Sequence, residues 1–273
     1  MRVRRLGWAG IELEAEGESI VIDHLLDPGL LSAFLADDRD EFIAPAAASA
    51  SAALVTHLHR DHTDVVAIER ALGPKGIVLR PERKAVESRM DEMATGESDA
   101  SFAAGPLEVR TCAPGDTHQI GPFAITALPA SDGLGSPQVS WVVAADEVTA
   151  VHCGDTLWHG AWWDAALAHG PIDLAFLPAN GVEIAYPGWD PAASVPAVMG
   201  PTEAVEAARA LRAGLLIPIH FNRTFEHPDY YRPQHDVEGR IRELALQREM
   251  PVRFLEPGDW IDAGDARDSA ISA

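Results

Sequence analysis

Thr56-His57-Leu58-His59-Arg60-Asp61-His62 sets three imidazoles and a carboxylate into one short run, directly after the apolar stretch Ala52-Ala53-Leu54-Val55. An apolar run of this kind reads as a buried strand, and along a strand alternate side chains share a face. His57 and His59 therefore converge on one cation. As the chain turns, Asp61 and His62 are aimed at a second cation close by. Neutral imidazole and carboxylate suit Zn(II), Mn(II), Fe or Co. A solvated loop that merely happens to be rich in histidine is the alternative. Two isolated histidines would leave that alternative ahead, but the H-x-H-x-D-H spacing at a strand end does not.

Working outward, alternation over residues 3–13 and 19–23 predicts two strands joined by a turn at Glu16-Gly17-Glu18. A helix is expected over 63–72, stopped by Gly73-Pro74, then a strand over 77–80 and a helix over 82–92. The middle of the chain is β-rich, with strands expected over 107–111, 123–128, 140–143 and 148–152. Residues 114–121 read as a turn. Helix 163–169, strand 172–177, a helix capped by Thr202 with Glu203 in its first turn, and the buried strand 215–219 follow. Strands arrive first as meanders and later alternate with helices, which predicts an α/β fold: two mixed sheets packed together with helices outside, in one domain over 1–273.

The chain has 273 residues, 47% apolar and 23% charged, a balance ordinary for a protein with a full core. Its formal net charge of -21 repels phosphate backbones, so nucleic acid is excluded as an expected partner. Lysine occurs only at Lys75 and Lys84, leaving arginine as the main cation. Cys112 and Cys153 are too few for a disulfide framework and read as reduced, buried thiols. The basic start Met1-Arg2-Val3-Arg4-Arg5 is followed by no apolar signal segment, and no run of 18 apolar residues exists, so a cytoplasmic protein without membrane contact is expected. No G-x-S-x-G elbow and no G-x-G-x-x-G after a strand is found, which removes serine-triad and dinucleotide chemistry.

Four strand ends carry metal-type ligands: the His57-His59-Asp61-His62 run, the turn Pro129-Ala130-Ser131-Asp132, Asp155 after Gly154, and His220 after Ile219. In that order, from Ile22-Asp23 through T-H-L-H-R-D-H and H-C-G-D-T to I-P-I-H-F, the chain resembles the metallo-β-lactamase superfamily along nearly its whole length. The Pro-Ile-His ending is most similar to the branch that includes L-ascorbate-6-phosphate lactonase. The resemblance implies an αββα sandwich and two divalent ions (Zn, Mn or Fe). It gives His57 and His59 to the first ion and Asp61, His62 and His220 to the second, with Asp155 bridging.

One position departs from the family pattern. Asp132 stands where the family supplies a third histidine to the first ion. Either Asp132 ligates with a harder, charged oxygen, or His118 swings in, or the first ion is weakly held and Asp132 only hydrogen-bonds. An Asp ligand favours Mn(II) or Fe(II) over Zn(II) relative to an all-histidine site.

Asp23, ending a strand beside the motif, is expected to orient a metal-binding histidine. Packing serves equally for His24. Asn180, after the strand 172–177, and Arg223, just beyond His220, are candidates for substrate contact, Arg223 as a clamp for phosphate or carboxylate. A surface ion pair is the rival role for Arg223. Tyr186, Trp189 and the Trp162-Trp163 pair are candidates for a lid or pocket wall, against plain packing, and the His227–Tyr230 stretch for a proton donor. His152, His159, His169 and His235 read as structural. The function implied is a metal-dependent hydrolase in which a hydroxide generated between two ions attacks a small ester or lactone, phosphate- or carboxylate-bearing in some cases, with Asp61 and Asp155 as the catalytic carboxylates. The alternatives are a phosphodiesterase or nuclease of the same fold and a metal-binding member without hydrolytic power. The substrate is a small molecule, and a homo-oligomer is compatible with the sequence.

Overall fold

The computed structural model describes residues 1–37, 39–84, 89–186, 195–222 and 224–264. Strands β1 (Arg2–Gly7), β2 (Gly10–Ala15) and β3 (Glu18–Ile22) form an antiparallel meander. The single strand expected over 3–13 is in fact a hairpin, turned at Trp8-Ala9 where Gly7 and Trp8 take φ of +102° and +44°. Both arms bury the same face, so apolar alternation runs through the turn and hides it; only the flanking glycines mark it.

From β3 the sheet continues with parallel strands β4 (Ala50–Leu54), β5 (Leu72–Arg80) and β6 (Glu108–Thr111), and β15 (Trp260–Asp262) closes the other edge against β1. Between β4 and β5 lies α1 (Val65–Ala71), whose cap Asp64 accepts a hydrogen bond from the Ala67 N–H at 3.0 Å. Of the helix expected over 82–92, residues 82–84 are not helical, residues 85–88 lie outside the described residues, and the described helix α2 runs Arg89–Ala104. Its later turns, rich in Ala, Ser, Thr and Gly, carry no apolar period that a sequence reading could follow.

The second sheet has the order β13-β11-β10-β9-β8-β7, built from β7 (Thr117–Ile120), β8 (Phe123–Pro129), β9 (Val139–Ala145), β10 (Val148–His152), β11 (Leu174–Pro178) and β13 (Leu215–Ile219). Strand β7 occupies part of the stretch read as a turn, and pairs His118 with Ile125. β12 (Glu183–Ile184) and β14 (Tyr231–Arg232) form a separate two-stranded ribbon. Helices α3 (Trp162–His169), α4 (Pro201–Ala210) and α5 (Val237–Gln247) cover the outer face of this sheet. α4 is capped by Gly200 with Pro201 in its first turn, not by Thr202: proline has no N–H to leave unpaired there and its φ already suits the helix.

Between the sheets, Ile11, Leu13, Ile20, Ile22 and Leu54 pack against Phe123, Ile125, Trp141, Val143, Phe176 and Ile217, all within about 1% of full burial. Burying each such side chain is worth roughly 1.5–3 kcal/mol. Outward-facing Val21, Ala53, Val55 and Val78 meet Val65, Ile68 and Phe102, while Val151, Ala175 and Leu216 meet Trp162, Val205 and Ile241. The result is the expected αββα order of layers. Cys112 and Cys153 are buried free thiols. Among the described residues no helix is long and apolar enough to cross a membrane.

Strands β4, β8, β10 and β13 are followed by the runs that carry His57, Asp132, Asp155 and His220. Gly154, between β10 and Asp155, takes φ +55°, and a Cβ there would sit 2.5 Å from the Thr56 hydroxyl. Gly154→Ala therefore forces a left-handed backbone on alanine and displaces Thr56. We expect a loss of ~1–3 kcal/mol, read as a lower Tm, together with weaker metal retention; an unchanged Tm would contradict this packing.

Candidate metal centre

Asp23 ends β3 with φ +48°, a left-handed conformation that aspartate tolerates better than most residues. Its buried carboxylate accepts hydrogen bonds from the Thr56 N–H (2.8 Å) and hydroxyl (2.7 Å), and lies 2.7 Å from His62 Nδ1. Because the Thr56 hydroxyl donates to Asp23, its oxygen is left to accept from His57 Nδ1, 3.0 Å away. Both imidazoles thus carry their neutral-form proton on Nδ1 and turn an Nε2 lone pair inward. The Nε2 atoms of His57 and His62 are buried without hydrogen-bond partners.

His59 is held the other way round. Its Nε2 is 2.9 Å from the Ser136 hydroxyl, leaving Nδ1 to face inward, 3.5 Å from Asp132 Oδ2. Asp132 is fixed through Oδ1, which accepts from the Leu134 N–H at 2.6 Å and the Ser136 N–H at 3.4 Å. Its Oδ2 also lies 3.9 Å from His57 Nε2. His118 lies on β7 with its Nε2 3.3 Å from the sulfur of Cys112, the residue after β6, and it is not among the residues whose ligand atoms gather within 4.8 Å of one another. The strand that β7 forms fixes its backbone there.

The second half of the centre gathers Asp61, His62, Asp155 and His220, whose ligand atoms all lie within 4.8 Å of one another. Asp155 Oδ1 is 2.9 Å from His62 Nε2 and 3.3 Å from His220 Nε2, yet none of these atoms closes a well-formed hydrogen bond. Asp61 also groups with His57 and His59 within the same limit, so it faces both halves and not the second alone. His220 takes φ +49°. Both of its ring nitrogens are unpartnered, and its ring packs against Trp8 at 3.8 Å between centroids. Trp8 Nε1 donates to Asp61 Oδ2 at 3.3 Å. Sequence reasoning gave Trp8 no role; the Gly7-Trp8-Ala9-Gly10 turn facing the motif was the only signal for it.

Charge and burial pull against each other here. Burial would lower the His62 imidazole, but Asp155, Asp23 and Asp61 outweigh it and raise the pKa well above its ordinary value. His220 is raised in the same way, burial being overcome chiefly by Asp155. Burial would raise the carboxyl groups of Asp155 and Asp61, yet the neighbouring histidines hold Asp155 well below the usual range and Asp61 at about 2. Burial, aided by His62 and His59, pushes His57 well below its ordinary value. Burial raises Asp132.

Buried nitrogen and oxygen atoms without partners are costly unless something else pairs with them. Here such atoms on His57, His62, Asp155 and His220 are brought from three strand ends into two adjoining groups that share Asp61, and the donor set of imidazole and carboxylate fits divalent transition metals.

The remaining candidates fall around this cluster. Asn180 is fully buried, its Oδ1 accepting from the Val182 N–H at 3.2 Å and its Nδ2 unpartnered. Arg223 and Trp189 lie outside the described residues. Tyr186 stacks on Phe34 at 5.7 Å between ring centroids, and burial, together with Asp61, raises its phenol. The Trp162-Trp163 pair belongs to the outer helical layer, Trp162 buried under α3 and Trp163 half exposed, because the helical period of α3 turns one inward and the other outward. His227 stacks on Tyr230 at 4.6 Å, and its Nδ1 accepts from the Asp229 N–H, a packing role. His24 is buried and lowered to about 4 by burial, hence neutral. His152 sits beneath the centre with Nε2 2.8 Å from the Ala9 carbonyl.

A UPF0173 metal-dependent hydrolase of Thermococcus kodakarensis is 29% identical over 273 residues, spanning 96% of this chain and 99% of its own. Igni18, a metallo hydrolase of Ignicoccus hospitalis, superposes with a TM-score of 0.64 at 17% identity over 95% of this chain and 97% of its own. CmlA, a diiron β-hydroxylase of Streptomyces venezuelae, reaches a TM-score of 0.71 at 16% identity over 95% of this chain and 53% of its own. Residues 20–221, from the strand that delivers Asp23 to the residue after His220, match the Beta-lactamase superfamily domain, and the chain belongs to that family.

Proposed function

We propose that this protein is a metal-dependent hydrolase that opens a small ester or lactone at a pair of divalent ions. The observation that carries the reading is the convergence of buried, unpartnered metal-type ligand atoms of His57, His62, Asp155 and His220 in two adjoining groups that share Asp61. His57, His59 and Asp132 would hold one ion and His62, His220 and Asp61 the other, with Asp155 between them. Ions held there supply Lewis acidity that activates water and polarises the scissile oxygen. The chain's own part is positional. Asp61, anchored by the Trp8 N–H, faces both halves of the centre and orients the attacking water. Asp23 keeps the two Nε2 lone pairs aimed inward by fixing the opposite nitrogen of His62 and, through Thr56, of His57.

A small-molecule substrate suits the net charge of -21, which opposes the long basic groove a nuclease needs. The relatives named metal-dependent hydrolases support hydrolysis as the reaction class. The ester or lactone assignment rests on the resemblance of the Pro218-Ile219-His220 ending and its setting to a sugar-acid lactonase branch.

Chelator-stripped protein tested with ester, lactone and phosphodiester probes should be inactive, and Mn(II), Fe(II) or Zn(II) added in turn should restore turnover of an ester or lactone. Preferential phosphodiester cleavage would overturn the substrate class, and full metal loading without any turnover would favour a non-hydrolytic member of the family.

Asp132 contributes a hard oxygen to the first ion, its Oδ2 left open by the backbone hydrogen bonds to Oδ1. Protein purified without added metal should therefore carry Mn or Fe in excess of Zn. Asp132→His should shift retention toward Zn by about tenfold or more in competition dialysis. Stoichiometric Zn in the parent protein would contradict the role given to Asp132.

Ion binding must also displace the protons that Asp155 and its neighbours hold on His62 and His220. In ion-free protein these raised values stabilise the fold fully below a pH of about 6.5, and that contribution is lost as pH rises through the folded values. Apparent metal affinity should accordingly rise with pH. Titration calorimetry in buffers of different ionisation enthalpy should show net proton release, and none released would contradict the charge balance described.

A further inference from the structure

Three histidines of the metal centre are steered by a hydrogen bond to the ring nitrogen that faces away from it: His57 by Thr56, His62 by Asp23 and His59 by Ser136. His220 is not. Its Nε2 lies 3.3 Å from Asp155 Oδ1 and 3.6 Å from Asp61 Oδ2, but its buried Nδ1 has no partner among the described residues. An imidazole that binds a metal is ordinarily oriented through its other nitrogen. Here the backbone must supply the orientation, and it does so from φ +49°, a region sparsely occupied by residues other than glycine.

The residues that follow His220 show what holds it. Arg5, on β1, is a guanidinium only 1% exposed. Its Nη2 donates to Asp40 Oδ2 at 2.7 Å, its Nη1 donates to the Leu255 carbonyl, and its Cζ lies 4.7 Å from the centroid of the Phe221 ring. Asn222 Nδ2 donates to the same Asp40 oxygen, while Asn222 Oδ1 accepts from the Thr224 hydroxyl at 2.7 Å. Farther along, the Thr224 carbonyl accepts from the Ala36 N–H at 3.0 Å and the Glu226 N–H donates to the Phe34 carbonyl at 2.8 Å. One ion pair thus grips both side chains next after His220, and the segment is tied at its far end to the 34–36 backbone. β1 reaches the segment a second time through Trp8, whose ring centroid lies 3.8 Å from that of His220 and 4.9 Å from that of Phe225.

A buried arginine is costly unless it is paired, and apolar side chains of similar volume often serve stability as well as a buried ion pair does. We infer that the Arg5–Asp40 ion pair is a positioning device for the second metal ion. By fixing Phe221 and Asn222 it keeps His220 in its left-handed backbone conformation with Nε2 toward Asp155 and Asp61, in place of the hydrogen bond that steers the other histidines. Neither Arg5 nor Asp40 touches an ion or a substrate. The inference rests on the two-ion reading of the centre and not on the ester or lactone reaction.

The test uses the full-length chain with Mn(II) and two variants. Asn222→Ala cuts the tie between the ion pair and the segment and leaves the pair itself intact; Arg5→Met combined with Asp40→Leu replaces the pair by apolar side chains. Equilibrium dialysis and electron paramagnetic resonance should show two exchange-coupled ions in the parent. In each variant one ion should be held about tenfold or more weakly and the other as in the parent. At the manganese concentration that just fills the parent, the variants should give the spectrum of a single uncoupled ion. A role in stability alone would lower Tm and leave the affinities and the coupling of the folded variants unchanged; that result, or equal weakening of both ions, would overturn the inference. Should the double variant fail to fold, Asn222→Ala, which removes one half-buried amide, decides alone. A parent without a coupled pair would overturn the two-ion reading and this inference with it, whereas a coupled pair kept equally by parent and variants overturns this inference only.

Discussion

A single buried carboxylate disciplines the whole centre. Asp23 takes three hydrogen bonds, two from Thr56 and one from His62, and in doing so decides which nitrogen of two imidazoles faces inward. An uncompensated carboxylate in this position would be expensive, since leaving one partner of a buried charged network unpaired costs about 3–5 kcal/mol. The network is satisfied only when β3 and the run after β4 are in the register observed, with Asp23 N–H bound to the Leu54 carbonyl at 3.0 Å. Fold and site are thus specified by the same contacts.

Around that anchor the protein stores tension. His62 and His220 are held toward the charged form by carboxylates that are themselves held ionised by those histidines, all inside a water-poor interior. Asp23, Trp8 and His220 occupy left-handed backbone conformations in the same neighbourhood. Strain and stranded polar atoms of this kind cluster where a ligand completes the structure. A cation resolves both problems at once, replacing the protons and pairing the lone pairs.

Much of this was legible in the sequence because the donors sit at strand ends that apolar runs announce. T-H-L-H-R-D-H, Asp155 after Gly154 and His220 after Ile217-Pro218-Ile219 can each be read locally, and Asp23 follows from Ser19–Ile22. What stayed hidden depends on long-range placement. Trp8 reaches Asp61 across 53 residues of chain, and only a hairpin turn at Gly7 and Gly10 brings it there. Ser136 steadies His59 from a loop after Asp132, and serine in a loop has no distinguishing pattern. The strand that carries His118, β7, was hidden because Gly115 and Gly121 disguised its alternation as a turn.

The central claim is that separated strand ends enclose two neighbouring cations. Anomalous diffraction from crystals soaked in Mn(II) tests it most directly. Two peaks are predicted, one among Asp61, His62, Asp155 and His220 and the other among His57, His59 and Asp132. Manganese bound only elsewhere on the acidic surface, or absent from both positions, would contradict the account.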